Sequence, residues 1–266
     1  MSADYFNKLT KNMLLNQKNK KKSIIIYITG GYPNLKTTKK LILALDKAGV
    51  DVIEIGVPFS DPIADGPTIQ EAGFIALQKG VTLGKIMKLT GEVKGKIKAA
   101  LVIMGYYNSF LNFGLAKFVS SCKRNGIDGI IIPDLIPEES RIVSELANRA
   151  GLSMVFLVAP NSNEKRIQRA ASLSSGFLYC VSVKGITGQR TKLPNINSYI
   201  SRVRKIAKLP LALGFGISNK LQAKHLLKSA DGVIIGSAVM SILKANTGKS
   251  AVKKVISFVT TLKKGI

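Results

Sequence analysis

The chain has 266 residues, 46% hydrophobic and 21% charged, a length and balance that suit one folded α/β unit and exclude a disordered chain. Lys and Arg number 40 against 15 Asp and Glu, a formal charge of +25 that brings nucleic acid, an anionic membrane or an anionic small ligand forward as partners. Neither of the first two is expected, because the lysines are scattered through segments that read as helix exteriors and no groove-reading or aromatic-interleaved basic motif is visible; no apolar run approaches the roughly 20 residues that span a bilayer.

In chain order, the amino terminus MSADYFNKLTKNML mixes polar and apolar residues without the apolar centre of a signal peptide. The expected location is therefore the cytoplasm, or a plastid stroma, and Ala3 to Leu15 reads as a helix before the first strand. Short β-branched runs then recur: SIIIYIT (Ser23 to Thr29), DVIEIGV (Asp51 to Val57), AALVIM (Ala99 to Met104), GIIIP (Gly129 to Pro133), SMVFLVA (Ser153 to Ala159), GFLYCVS (Gly176 to Ser182), PLALGFG (Pro210 to Gly216) and GVIIGS (Gly232 to Ser237). Near-continuous apolar runs of this length mark parallel strands covered on both faces. Helical patterns separate them, opened by Pro, Ser or Glu and closed by Gly. Eight β/α units predict a single (β/α)8 TIM barrel over 1–266, with the extra amino-terminal helix and a second extra helix after strand two, Thr68 to Gly80. A doubly wound open sheet is the runner-up.

The two cysteines, Cys122 and Cys180, lack metal-ligand spacing, and His225 is the only histidine. No metal site is expected, and His225 reads as a helix-surface residue.

The stretch VIEIGVPFSDPIADGPTIQ (Val52 to Gln70) carries a carboxylate inside a buried strand. Side chains alternate along a strand, so Glu54 shares a face with Val52 and Gly56 while Ile53, Ile55 and Val57 point the other way. If the branched set packs on the outer helices, Glu54 enters the barrel near the carboxyl end of strand two, where barrel enzymes build their sites. An internal ion pair with Lys or Arg is the plainer reading, but no basic residue stands on the neighbouring strand segments. Burial raises the proton affinity of a carboxylate and suits it to both give and take a proton near neutral pH. Asp65 follows in a loop stiffened by Pro58, Pro62 and Pro67 and can reach the same mouth, or serve as a turn former.

A second cluster lies in the last third: KGITG (Lys184 to Gly188) after strand six, GFG (Gly214 to Gly216) at the end of strand seven, and Gly236 and Ser237 at the end of strand eight before a helix. Glycines there let backbone N–H groups approach an anion, and a helix start adds its positive dipole end. GFGISN lacks the third glycine of a dinucleotide fingerprint, and TGKS lacks the upstream glycine of a Walker loop. An acid on one side of a barrel mouth and a phosphate cradle on the other imply a phosphorylated small molecule undergoing proton transfer.

The stretch IEIGVPFSDPIADGPTIQ closely resembles the signature of the tryptophan synthase α chain family. The likeness continues through TGGYP (Thr29 to Pro33), MGYYN (Met104 to Asn108), PDLIPEE (Pro133 to Glu139), KGITG, GFGIS and GSAV. The resemblance implies a lyase of tryptophan biosynthesis that cleaves indole-3-glycerol phosphate to indole and glyceraldehyde 3-phosphate with no cofactor in this chain. It implies Glu54 and Asp65 as catalytic residues and Gly188, Gly216, Gly236 and Ser237 as phosphate ligands. Tyr179, Thr187 and Phe215 lie beside these elements as candidate pocket residues, although Tyr179 and Phe215 fit ordinary core equally well. The family also implies a pyridoxal-phosphate β chain as partner in an α2β2 assembly, with Pro58, Asp61 and Asn108 as candidate contacts. A stand-alone indole-3-glycerol phosphate lyase, another phosphate-binding barrel enzyme and a non-catalytic basic binding protein are the alternatives.

Overall fold

A computed structural model describes residues 7–181, 196–214, 220–246 and 248–264. Its parallel strands are β1 (Ser23–Thr29), β2 (Val52–Gly56), β3 (Ala100–Met104), β4 (Gly129–Ile131), β5 (Ser153–Val155), β6 (Leu157–Val158), β7 (Leu178–Val181), β8 (Leu211–Gly214) and β9 (Gly232–Ile235). The eight expected runs all form strands, trimmed by one or more residues at most ends, and the fifth divides in two at Phe156.

That division closes the barrel. The sheet order runs β5-β4-β3-β2-β1-β9-β8-β7-β6, so its two outer members are consecutive halves of one stave. The first half pairs with β4 and the second with β7. Phe156, between them, donates its N–H to Ser174 Oγ at 3.0 Å and accepts from the Tyr179 N–H at 3.1 Å, so the backbone stays satisfied as pairing passes from one neighbour to the other. The sheet is thus a (β/α)8 barrel, and the open-sheet alternative does not hold.

The helices follow from local signals. α1 (Lys8–Lys18) is capped by Asn7, whose side chain accepts from the Thr10 N–H. Within the described residues it begins at Lys8, after Asn7, an N-cap type that the reading from Ala3 did not weigh. α2 (Leu35–Lys47) is capped by Asn34 and buries Thr38, Leu41, Ile42 and Leu45 at helical spacing. After β2 the chain forms two helices, α3 (Pro67–Gln78), opened by Gly66 and Pro67, and α4 (Leu83–Val93). α3 is the expected extra helix. α5 (Tyr107–Phe113), α6 (Leu115–Arg124), α7 (Arg141–Arg149), α8 (Glu164–Leu173), α9 (Asn197–Ile206), α10 (Lys220–Leu227), α11 (Ser237–Lys244) and α12 (Gly248–Lys263) complete the outer ring. His225 is exposed on α10, as expected.

The two ends of the barrel differ. At the amino-terminal end, Leu9 and Met13 of α1 are fully buried, and a side chain on Gly129 or Gly176 would run into Leu9. The Asn7 side chain also donates to the Asp128 carbonyl at 2.7 Å and the Gly151 carbonyl at 3.0 Å, so α1 plugs this end. Three aspartates recur here. Asp51, Asp128 and Asp231 each precede a strand and accept from the first N–H groups of another: Ile24 at 2.9 Å, Leu101 at 2.9 Å and Leu211 at 2.8 Å. Lys21, Lys8 and Arg204 stand against them at 3.6, 3.4 and 2.6 Å. Three of the 15 acidic residues thus hold strand starts at this end, and the carboxyl-terminal end is left for chemistry.

Candidate active site

Glu54 pairs in register with Tyr27 of β1 on one side and Val102 of β3 on the other. No cation stands beside it on either strand, and the carboxyl is 1% exposed. Among the described residues its Oε2 is buried without a hydrogen-bond partner. Nothing among them, then, supports the ion-pair reading of this residue. An unsatisfied oxygen in an apolar interior disfavours the anion, and burial, followed by the negative charge of Asp65, pushes Glu54 from its ordinary 4.5 up to about 8.

Asp65 lies half-buried in the loop between β2 and α3. Burial pushes it up to about 6, while a hydrogen bond from Tyr106 pulls the other way. The two carboxyls are near enough for Asp65 to raise Glu54 by charge repulsion. Neutral pH thus finds a protonated Glu54 beside an ionised Asp65, the separation that assigns acid and base roles to a pair of like groups.

Two tyrosines complete the interior. Tyr27 from β1 and Tyr179 from β7 are both buried, and burial together with Glu54 and Asp65 holds both phenols protonated well above their usual range. β1 and β7 are not neighbours in the sheet, so groups from three staves meet across the interior. Their rings explain Gly56, which the sequence places on the Glu54 face of strand two, and Gly214 and Gly236, which it presents as anion-binding signals. A Cβ on Gly56 would overlap the Tyr27 ring and hydroxyl, one on Gly214 would overlap Tyr179, and one on Gly236 would press on Tyr27 Cδ1 at 3.1 Å.

The remaining expectations are placed as follows. Gly236 and Ser237 are half-buried where β9 passes into α11; Gly236 is the N-cap and supplies no side-chain cap, so the first N–H groups of the helix are left for another acceptor. Thr187, Gly188, Phe215 and Gly216 lie outside the described residues. Pro58 is buried at the mouth, whereas Asp61, which accepts from the Ser60 hydroxyl, and Asn108 on α5 are exposed. Two residues escaped the reading from sequence, Tyr27 and Tyr106. Strand pairing that sets Tyr27 beside Glu54 would have found the first; the second sits in the MGYYN stretch without a spacing that links it to Asp65. Among the described residues no cluster of His, Cys, Asp and Glu suits a metal ion, and no helix is long and apolar enough to cross a membrane.

A closed parallel barrel with two carboxyls of raised proton affinity towards its carboxyl-terminal end marks the (β/α)8 enzyme class. A sequence model described as tryptophan synthase alpha chain matches residues 13–266. Curated relatives include the tryptophan synthase alpha chain of Dehalococcoides mccartyi, 45% identical over 93% of this chain and 96% of its own. That of Petrotoga mobilis is 44% identical over 91% and 95%. Among solved structures, the tryptophan synthase subunit alpha of Legionella pneumophila matches with a TM-score of 0.90 at 30% identity, covering 98% of both chains. A tryptophan synthase complex from Pyrococcus furiosus matches at 0.84 and 34% identity over 91% and 98%. The chain belongs to the tryptophan synthase alpha chain family, a family of lyases.

Proposed function

We propose that this chain cleaves indole-3-glycerol phosphate to indole and glyceraldehyde 3-phosphate, with Glu54 as the proton carrier and Asp65 as the partner of the indole ring nitrogen. The observation that carries the reading is the buried, unpartnered Oε2 of Glu54, held protonated to about pH 8 beside Asp65. The retro-aldol step needs a proton on indole C3, which places positive charge on the ring nitrogen, and the loss of a proton from the side-chain hydroxyl. Glu54 delivers the first proton and, as carboxylate, takes the second. The C3 to side-chain bond then breaks, its electron pair neutralising the ring and the hydroxyl carbon becoming the aldehyde. Asp65 accepts a hydrogen bond from the ring N–H and stabilises the cation as it develops. The phosphate is assigned to Gly188, Gly216, Gly236 and Ser237, a reading supported by the uncapped start of α11. Tyr179 borders the indole, with Thr187 and Phe215 assigned beside it.

The partner is a tryptophan synthase β chain, which carries the pyridoxal phosphate and receives the indole; this chain needs no cofactor of its own. Pro58, Asp61 and Asn108 are assigned to that contact. In support, Asp61 borders an outward groove of about 610 Å3 with Phe59, Ile63 and Phe74, and Ile63 and Phe74 are 74% and 61% exposed. Indole release from indole-3-glycerol phosphate, with and without a β chain, tests the whole reading. Loss of turnover in Glu54→Gln with the fold retained is the expected result, and near-normal turnover overturns the assignment.

A further inference from the structure

A loop carboxylate is free to rotate unless something holds it, and hydrogen-bond stabilisation of a developing cation works only if the acceptor is already aimed. Asp65 is held by one phenol. Tyr106, two residues beyond the end of β3, is 3% exposed. Its hydroxyl accepts from the Ala64 N–H at 2.9 Å and donates to Asp65 Oδ2 at 3.1 Å. Because the oxygen accepts from the backbone of one residue, its single proton is directed at the carboxylate of the next. The ring stacks on Phe59 from the same loop, centroids 5.2 Å apart and planes at 22°, so both ends of the segment 59–65 are tied to it.

The phenol is itself fixed. Tyr106 is the N-cap of α5, whose Tyr107 N–H donates to both oxygens of Asp134 at 2.9 and 3.2 Å. Gly105, just before it, has no room for a side chain between Phe110 and Val57, so the chain cannot shift there. Among the described residues, the titratable groups acting with Asp65 are Tyr106 from the β3 loop, Glu54 from β2, Tyr27 from β1 and Tyr179 from β7, while Asp134 acts on Tyr106. Of these, Tyr106 donates a hydrogen bond to Asp65.

We propose that Tyr106 is the positioning residue for Asp65, its hydroxyl engaging Oδ2 so that Oδ1 is presented to the ring N–H of the substrate. The inference rests on the role proposed above for Asp65. Its hydroxyl also favours the ionised carboxylate, so removing it makes Asp65 harder to ionise.

The test compares wild type, Tyr106→Phe, Asp65→Asn and Tyr107→Phe as full chains with a β chain present, following kcat/KM for indole release across pH. Tyr106→Phe keeps the ring and its stacking on Phe59. It is expected to lose about tenfold to a hundredfold in kcat/KM, the loss of one hydrogen bond to a charged group. Its acid limb is expected at higher pH, and Tyr107→Phe is expected to match wild type. Fluorotyrosine at position 106 serves as a second variant that retains the fold. Its more acidic hydroxyl is a stronger donor and is expected to move the limb to lower pH. An acid limb that stays in place in both variants overturns the inference whether or not turnover falls, provided Asp65→Asn is inactive. Near-normal turnover in Asp65→Asn overturns the reading of Asp65 and this inference with it.

Discussion

Tyr27 and Glu54 stand opposite each other in the β1–β2 ladder, a phenol and a carboxyl side by side in the interior of the barrel. The pairing sets an uncharged ring beside Glu54, and the missing side chain of Gly56 makes room for it. A carboxyl in that setting holds its proton, which suits it to the acid role proposed for it.

The first consequence concerns pH. Asp65 must be ionised to accept the ring N–H, so activity is expected to fall as pH drops through about 6. In the proposed mechanism Glu54 carries a proton at the outset, so activity is expected to fall again as pH rises through about 8. A bell-shaped kcat/KM profile for indole release, with limbs near those values, is the expected measurement. A flat profile over this range would contradict the roles given to both groups.

The second concerns the stability cost of Glu54. Its folded-state pKa lies above the ordinary value of 4.5, so between about 4.5 and 8 the native state binds more protons than the unfolded one, and stability declines as pH rises. Glu54→Gln abolishes that slope. The variant is expected to gain on wild type by about 1.4 kcal/mol per pH unit across the window, levelling off above it. Urea denaturation at several pH values reads the difference, and a variant less stable than wild type at pH 9 is the contrary result.

The third concerns the ring that shields Glu54. Gly56→Ala drives a methyl into the Tyr27 side chain and is expected to destabilise the protein by about 1–3 kcal/mol. In a Tyr27→Val background the same change is expected to cost much less, because the two positions are coupled through one contact. Chemical denaturation of the four proteins in this cycle measures the coupling; additive costs would show that the ring is not what excludes the methyl.

The fourth separates the two ends of the barrel. Asp231→Ala removes the acceptor for the Leu211 N–H and for Arg204 and is expected to cost about 1–3 kcal/mol of stability. Both limbs of the pH profile are expected to stay in place, since this rim lies at the end opposite the carboxyl pair. Thermal denaturation beside the indole assay tests it, and a displaced limb would show that the two ends are not independent.

The amino-acid sequence determined a good deal by itself. Apolar runs at regular spacing gave the staves, and the alternation around Glu54 named the face it occupies, because a two-residue period is a local property of the chain. The proline-rich loop bearing Asp65 and the glycine that opens α11 were legible for the same reason. What needed the tertiary structure was every relationship between distant positions. Closure depends on Phe156 handing the sheet from β4 to β7, which no single run of residues encodes. Gly56 is only a strand position and Gly236 only an anion-binding glycine until Tyr27 is seen filling the space beside both. Tyr106 reaches Asp65 from 41 residues away, and the absence of a partner at Glu54 Oε2 is a property of everything around it. Local pattern reports which way a side chain points; only the assembled barrel decides what it meets there, and that meeting sets the proton affinities on which the chemistry depends.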